Sequence, residues 1–418
     1  MNRPREILIA GGGVIGLCCA YYLKQAGHRI TLIDNSDMSD GCSYGNAGMI
    51  VPSHFTPLAA PGMIAKGVRW MLRPDSPFHI PIKADPALIN WSWKFYQASR
   101  RSNLKMAMLA LRDISLLSKK LFDQIADSGI FQFFFESKGL LMLCRKESSV
   151  EEESHHAVTA NNLGIHAQVL NRQEVHRMEP RLQPDVLAGV YYRGDAHCCP
   201  EQFMKGLKNH LEADGINLVP NTLIKGFSHT GNRVTGVITS SGNLGADDII
   251  LCGGTWTGRL ARMLGIHLPL QPGKGYSITI DSPNPLIEYP SILCDARVAI
   301  TPMGDKIRIG GTMEIGVWNT SEDSRRMEGI LKSMQMYYSG ILLNKVSLGK
   351  VWSGLRPCSP DGLPYIGRVG KYNNLVIATG HAMMGLSLGP ATGKLVSDLI
   401  CGRNPPVEIA LFSPDRYH

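Results

Sequence analysis

The sequence predicts an α/β fold in which a doubly wound nucleotide-binding domain is interrupted by a second, α+β domain of mostly antiparallel sheet. Three observations predict it. A strand, a glycine turn, a helix and a second strand fill the first 34 residues; strand–turn–helix patterning returns after residue 200 and again near the end; and the intervening stretches alternate like antiparallel sheet. At 418 residues the chain can hold two domains with substantial cores. The patterning assigns 1–75, 190–260 and 350–418 to a discontinuous nucleotide-binding domain, and 76–189 and 261–349 to the second domain.

The opening unit carries the sharpest signal. Ile7, Leu8 and Ile9 form the short apolar run of a buried parallel strand. Gly11, Gly13 and Gly16 follow as G-x-G-x-x-G, with Val14 and Ile15 opening a helix whose apolar positions Leu17, Tyr21 and Leu23 keep helical spacing up to Gly27. Arg29–Ile33 is a second strand, ending on Asp34 and Asn35. Gly11 permits a tight turn, Gly13 lets a pyrophosphate approach the backbone, and Gly16 lets helix and strand pack closely. The helix N-terminus favours phosphate, and Asp34 can accept from ribose hydroxyls, which selects an unphosphorylated ribose. This Rossmann-like unit fits FAD or NAD and does not separate them.

Charge and cysteine usage narrow the partners. The net charge of +8 suits an anionic ligand or a bilayer surface. It is spread along the chain without a Lys/Arg block, so no nucleic-acid partner is expected. The ten cysteines include the adjacent pairs Cys18-Cys19 and Cys198-Cys199 and no C-x-x-C spacing, so neither a metal site nor a disulfide framework is expected. With the first strand starting close to Met1 and no apolar stretch of about 18 residues, we expect no signal peptide and no spanning helix, hence a cytoplasmic protein.

Gly41–Ile50 is a small-residue loop in which Ser43 and Asn46 offer hydrogen bonds, while Ala47, Gly48 and Met49 let a flat ligand lie against the backbone; a plain surface loop fits the same composition. The segment from Val51 to Pro77 is proline-rich and apolar (Phe55, Leu58, Met63, Ile64, Trp70, Met71, Leu72), which reads as a lid, a peripheral membrane contact or core packing. Leu104 to Ser128 is a long helix, Phe131–Phe135 and Gly139–Leu143 are strands, Glu151 to Leu163 is a helix, and Asn171 with Glu174 forms a capping box. Pro200 opens a helix that ends at Gly215. Asp248–Cys252 is a strand running into Gly253, Gly254 and Trp256, a second close backbone approach to a ligand. Gly273 to Gly311 alternates as antiparallel sheet. Leu375–Gly380 is a buried strand, His381–Gly385 a turn, and a closing helix begins at Leu386 and Ser387.

One phosphate-binding helix start suffices for NAD. A second strand–turn–helix at Gly380, Met384, Gly385, Leu386 and Ser387 suits a longer ligand whose reduced ring carries negative charge, so the pair of turns favours FAD. The strings Gly45-Asn-Ala-Gly-Met49, Ala59-Ala-Pro-Gly62, Lys274-Gly-Tyr-Ser-Ile-Thr-Ile280, Gly354-Leu-Arg-Pro357, Ser359-Pro-Asp-Gly362 and Thr379-Gly-His381 then resemble, in order and over nearly the whole chain, the FAD-dependent D-amino acid dehydrogenases of the D-amino acid oxidase, glycine oxidase and sarcosine oxidase superfamily. The resemblance implies noncovalent FAD, a substrate domain in the inserted layer and oxidation of a D-amino acid to the imino acid. It also implies electron transfer to a quinone or respiratory acceptor at the inner face of a membrane. D-proline or hydroxy-D-proline is the alternative substrate, and a glycine or sarcosine oxidase the neighbouring reaction. An NAD-binding enzyme and a non-catalytic flavin-holding interaction protein are the rivals from other classes.

Carried over by position, Arg356 matches the arginine that grips the substrate carboxylate, a task suited to its planar fork. Lys274 and Tyr276 match a segment near the flavin ring, while His54 and His381 are histidines within reach of the pocket or packed in turns. The stretch Cys294–Val298 reads as the opening of the strand before the carboxylate arginine, with Arg297 where related oxidases often carry tyrosine.

Overall fold

The computed structural model describes residues 3–60, 62, 78–80, 85–100, 104–282, 286–341 and 351–417. Its first layer is a six-stranded sheet in the order Asn217–Val219, Arg29–Ile33, Glu6–Ala10, Asp248–Leu251, Tyr372–Thr379, Tyr365–Val369. The first five strands run parallel and the edge strand Tyr365–Val369 is antiparallel. Both faces are covered, which is why these strands are apolar throughout instead of alternating. Ile7 and Ile9 face a core built with the helices Val14–Gln25, Leu104–Ser128, Pro200–Ala213 and Gly389–Cys401. Leu8 and Ala10 face a second core formed with Val234, Val237, Ala261 and Leu264.

The second layer is a nine-stranded sheet. Its path runs Trp352–Cys358, Gln271–Asp281, Lys306–Ile315, Val298–Pro302, Ser291–Leu293, Leu140–Cys144, Ala188–Tyr192, Ala167–Asn171, with Phe78–His79 paired to Lys306–Ile315 off that path. Almost all its pairs are antiparallel; Ser291–Leu293 with Leu140–Cys144 is parallel, as is the Phe78–His79 pairing. One face packs on the helix Ser324–Tyr337 through Ile278, Ile280, Ile307, Ile309, Met327 and Met334. Trp352–Cys358 belongs to this sheet, so the chain crosses from the second layer into the first between Cys358 and Tyr365.

Several sequence expectations meet the structure residue for residue. The long helix spans Leu104–Ser128, and Asn171 with Glu174 makes a reciprocal capping box. Gly27 follows the first helix at φ 87. Two expectations are corrected. Of Phe131–Phe135 only Phe135 pairs in a strand, because Phe131 and Phe133 turn their rings onto Phe203, with centroids 5.8 and 5.1 Å away. Cys294–Arg297 opens no strand: it is the turn between Ser291–Leu293 and Val298–Pro302. Asp295 holds that turn by accepting bonds from Arg145 N, Ser149 Oγ and Tyr337 Oη, and Arg297 takes φ 53.

Phe55 is buried in a core with Leu140, Met142, Val190 and Tyr192 of the nine-stranded sheet and Leu58 is half-buried, whereas Met63, Ile64, Trp70, Met71 and Leu72 lie outside the described residues. Among the described residues no helix is long and apolar enough to cross a membrane. The chain ends with a clamp. Arg416 holds Asp361 by a two-pronged ion pair of 2.7 and 2.9 Å, and its guanidinium lies 3.8 Å from the Tyr365 ring centre. Both partners are largely shielded, so Arg416→Ala is expected to lower the thermal midpoint by roughly 5 °C, since deleting one partner of a shielded pair costs about 3 kcal/mol. Scanning fluorimetry of the two proteins checks this.

Candidate active site

Parallel pairing places the C-terminal ends of four strands on one edge of the first sheet. There Gly11 follows Glu6–Ala10, Asp34 follows Arg29–Ile33, Gly253 follows Asp248–Leu251, and Gly380 follows Tyr372–Thr379. Ligands of open α/β sheets bind at such an edge where the strand order reverses, as it does around the first strand here.

The three opening glycines have different constraints. Gly11 has φ 121, and a Cβ there would lie 2.5 Å from Cys252 O, so the turn needs glycine for the fold itself. A Cβ at Gly16 would lie 1.8 Å from Gly11 O, which fixes the helix against the strand; Gly16 accordingly sits behind the cavity wall. At Gly13 the nearest atom to a Cβ is Ser43 Oγ at 3.5 Å, and the residue faces open space. Asp34 is drawn onto the turn, accepting from Gly12 N at 2.6 Å and from Ser36 N at 2.8 Å. Ser43 Oγ accepts from Val14 N at 3.0 Å, tying the small-residue loop to the helix start.

The closing helix sits against the first helix through glycine. A Cβ at Gly393 would come within 2.4 Å of Cys18 O, so the two backbones touch and their two N-terminal turns share one cavity. That cavity has a volume of about 1130 Å³, beyond the usual size of a small-molecule pocket and sufficient for a dinucleotide with a small substrate. Gly11, Gly13, Val14, Ile15, Asp34 and Asn35 line it. So do Ser43, Asn46, Ala47 and Met49 from the loop, Gly253, Gly254 and Trp256 from the second glycine approach, and Met384, Gly385 and Leu386 from the closing turn. Gly48, Gly380 and Ser387 do not. Gly48 and Gly380 make left-handed bends, and Ser387 Oγ accepts from Val51 N at 3.0 Å. These residues shape the cavity from behind.

Arg356 lines the cavity from the neighbouring sheet. It pairs in register with Gly273, and its guanidinium occupies the space a Cβ at Gly275 would need. Nη1 donates to Thr312 O at 2.7 Å. Burial pulls its proton affinity down, the thiols of Cys42 and Cys358 are the nearest titrating groups, and no carboxylate pairs with it among the described residues. A shielded guanidinium holding one backbone carbonyl has donors left with which it can receive an anion.

Alternation along Gln271–Asp281 puts Gly273, Gly275 and Ser277 on the face of Arg356 and sends the Lys274 and Tyr276 side chains to the other face. Tyr276 Oη donates to Glu314 Oε2 at 2.8 Å, and Lys274 Nζ donates to Asn319 Oδ1 at 2.9 Å. Tyr276 still forms part of the cavity wall, whereas Lys274 lines a separate recess with Glu314 and Asp323. His381 lines the cavity but bonds Thr392 Oγ1 at 3.0 Å, and burial lowers its pKa to about 3, which keeps it neutral. His54 also lines the cavity; its Nδ1 lies 3.1 Å from Ser53 Oγ.

Sequence reasoning passed over Arg308. Its side chain is buried and bonds Tyr44 O at 2.6 Å, Asn46 O at 3.0 Å and Glu201 Oε1 at 2.8 Å, so it anchors the loop that walls the cavity. A charged residue between Ile307 and Ile309 reads as the wet face of a strand, and only the loop folding over that face buries it. Thr312, at φ 67, supplies the carbonyl that holds Arg356.

Comparison with known proteins agrees with this architecture. Residues 6–399 match the family described as FAD dependent oxidoreductase. A D-amino acid dehydrogenase of Bradyrhizobium diazoefficiens is 34% identical, with 99% of each chain covered. A D-amino acid dehydrogenase of Granulibacter bethesdensis is 32% identical over 99% of each chain. Among solved structures, glycine oxidase from Geobacillus kaustophilus superposes with a TM-score of 0.81, 22% identity and 99% coverage of both chains.

Proposed function

Because this chain belongs to the FAD dependent oxidoreductase family, we propose that it oxidises D-amino acids at the α-carbon and passes the electrons to a membrane-held, quinone-type acceptor. The observation that carries the reading is Arg356, a shielded guanidinium without a carboxylate partner among the described residues, lining the same cavity as both glycine turns. Gly13 and the start of Val14–Gln25 would hold the pyrophosphate, Asp34 the ribose, and the Met384–Leu386 turn the ring system. FAD, when bound, supplies the hydride acceptor.

The chain's own contribution is binding and orientation. The Arg356 fork pairs with an α-carboxylate in one plane, which fixes the direction of the neighbouring Cα–H bond. Thr312 O and the bare face of Gly275 hold the fork in place, so its aim does not depend on the ligand. Trp352 packs on Gly45 and Gly354, where any Cβ would overlap its ring, and forms part of the cavity wall. Names of the full-length relatives support the D-amino acid class. The basic balance of the chain and the resemblance to dehydrogenases support a cytoplasmic protein working at the inner face of a membrane.

The test is anaerobic reduction of the bound flavin by a panel of D-amino acids, their L-enantiomers, D-proline, hydroxy-D-proline, glycine and sarcosine. Bleaching by D- and not L-amino acids is expected. Selective bleaching by the cyclic imino acids would move the substrate class, and no bleaching by any member would remove the oxidation itself.

A further inference from the structure

Three side chains beside the cavity form a hydrogen-bonded series that neither the carboxylate fork nor the nucleotide fold requires. Asp195 is fully buried in the turn between Ala188–Tyr192 and Ala196–Cys198. Its Oδ1 accepts the Ser53 N–H at 3.1 Å and its Oδ2 accepts the Ser53 O–H at 2.5 Å. Ser53 Oγ in turn lies 3.1 Å from His54 Nδ1, and His54 lines the cavity.

Proton counting fixes the direction of this series. An ionised Asp195 only accepts, so the single hydroxyl proton of Ser53 is committed to it. Ser53 Oγ can then only accept from His54, which places the imidazole proton on Nδ1 and leaves a lone pair on Nε2. With Nδ1 occupied by Ser53, Nε2 is the nitrogen left to meet a ligand.

We propose that Asp195, acting through Ser53, holds His54 in the tautomer whose Nε2 accepts a hydrogen bond from the substrate's nitrogen, so that His54 favours an N–H-bearing α-amino or α-imino acid. The proposal rests on the amino-acid oxidation argued above. Asp195 and Ser53 are positioning residues, and His54 is the group that meets the ligand.

The series also sets a pH dependence. Burial raises the pKa of Asp195 to about 7, against the two bonds from Ser53 and the charge of Lys119 on the long helix; Tyr192 faces it from the preceding strand. Burial lowers His54 to about 4, with Arg297 and His156 facing the ring, so the imidazole stays neutral across this range. Once Asp195 is protonated it donates to Ser53 Oγ. The hydroxyl then turns to His54 Nδ1, and Nε2 becomes a donor. Substrate affinity therefore falls as pH drops through the Asp195 titration.

Asp195→Asn imposes that second arrangement at every pH, because the amide oxygen takes the Ser53 N–H and its NH2 faces Ser53 Oγ. In holoenzyme carrying isotope-labelled histidine, nitrogen chemical shifts report the tautomer directly, and His54→Gln identifies the signal. At alkaline pH the proton should sit on Nδ1 in the unaltered protein and on Nε2 in Asp195→Asn. Flavin-reduction titrations should show a substrate dissociation constant about tenfold higher in Asp195→Asn, the scale of one lost hydrogen bond. The decline at acid pH should be gone, with flavin content unchanged. Ser53→Thr keeps the hydroxyl and should behave like the unaltered protein, whereas Ser53→Ala should lose affinity. One tautomer in both proteins, or identical affinity and pH profile, overturns the proposal. Should no amino acid reduce the flavin, the ligand assignment falls with the reading of the reaction, while the tautomer comparison still decides the series itself.

Discussion

Arg356→Lys is expected to leave the flavin-to-protein ratio unchanged and to raise the substrate dissociation constant on the order of 100-fold, the effect of losing about 3 kcal/mol of charge-assisted hydrogen bonding. A lysine ammonium is a point charge on a flexible stem; it can meet a carboxylate but cannot hold it in a plane. The side chain would also leave the surface of Gly275, and Thr312 O would lose its donor. Stopped-flow reduction of the bound flavin, titrated with substrate, separates this from a cofactor effect. Unchanged affinity would take Arg356 out of the binding site.

Gly13→Val has the complementary outcome. A valine fits the extended backbone at this position (φ −73, ψ −179), and only Ser43 Oγ comes within 4 Å of the added Cβ. The apoprotein should therefore fold with an unaltered circular dichroism spectrum. FAD should bind about 100-fold more weakly, because the branched side chain occupies the place of the pyrophosphate at a cost near 3 kcal/mol. Equilibrium dialysis against FAD measures the loss. Gly11→Ala makes the control: with φ 121 and a Cβ 2.5 Å from Cys252 O, it should damage the fold as well as binding. Full flavin retention in Gly13→Val would break the assignment of this turn to the pyrophosphate.

What the sequence disclosed and what it withheld divide along physical lines. The opening strand–turn–helix–strand unit and the closing turn were legible because each is local, with its glycines, apolar run and terminal acid inside one stretch of chain. Lys274 and Tyr276 illustrate the opposite case. Their string carries the resemblance, yet a strand covered on both faces gives no polar–apolar alternation to say which side chains turn toward the cavity, and register with Trp352–Cys358 decides it. Arg308 was hidden for another reason: it alternates with Ile307 and Ile309 as a solvated side chain would, and only the distant loop carrying Tyr44 and Asn46 buries it. The Ser53–Asp195 bond joins residues 142 positions apart, and no spacing rule reaches that far. The place of Trp352–Cys358 in the second sheet likewise depends on pairing with a strand about eighty residues earlier.

The order of strands in the first sheet bears on how the protein is made. Asp248–Leu251 lies between Glu6–Ala10, near the start of the chain, and Tyr372–Thr379, near its end. During synthesis the edge of Asp248–Leu251 is unpaired until more than a hundred further residues have emerged, a state that invites mispairing and chaperone capture. The closing turn that completes the cavity arrives later still, so a ligand held by both turns binds only after it, and flavin supply during expression should raise the yield of folded protein.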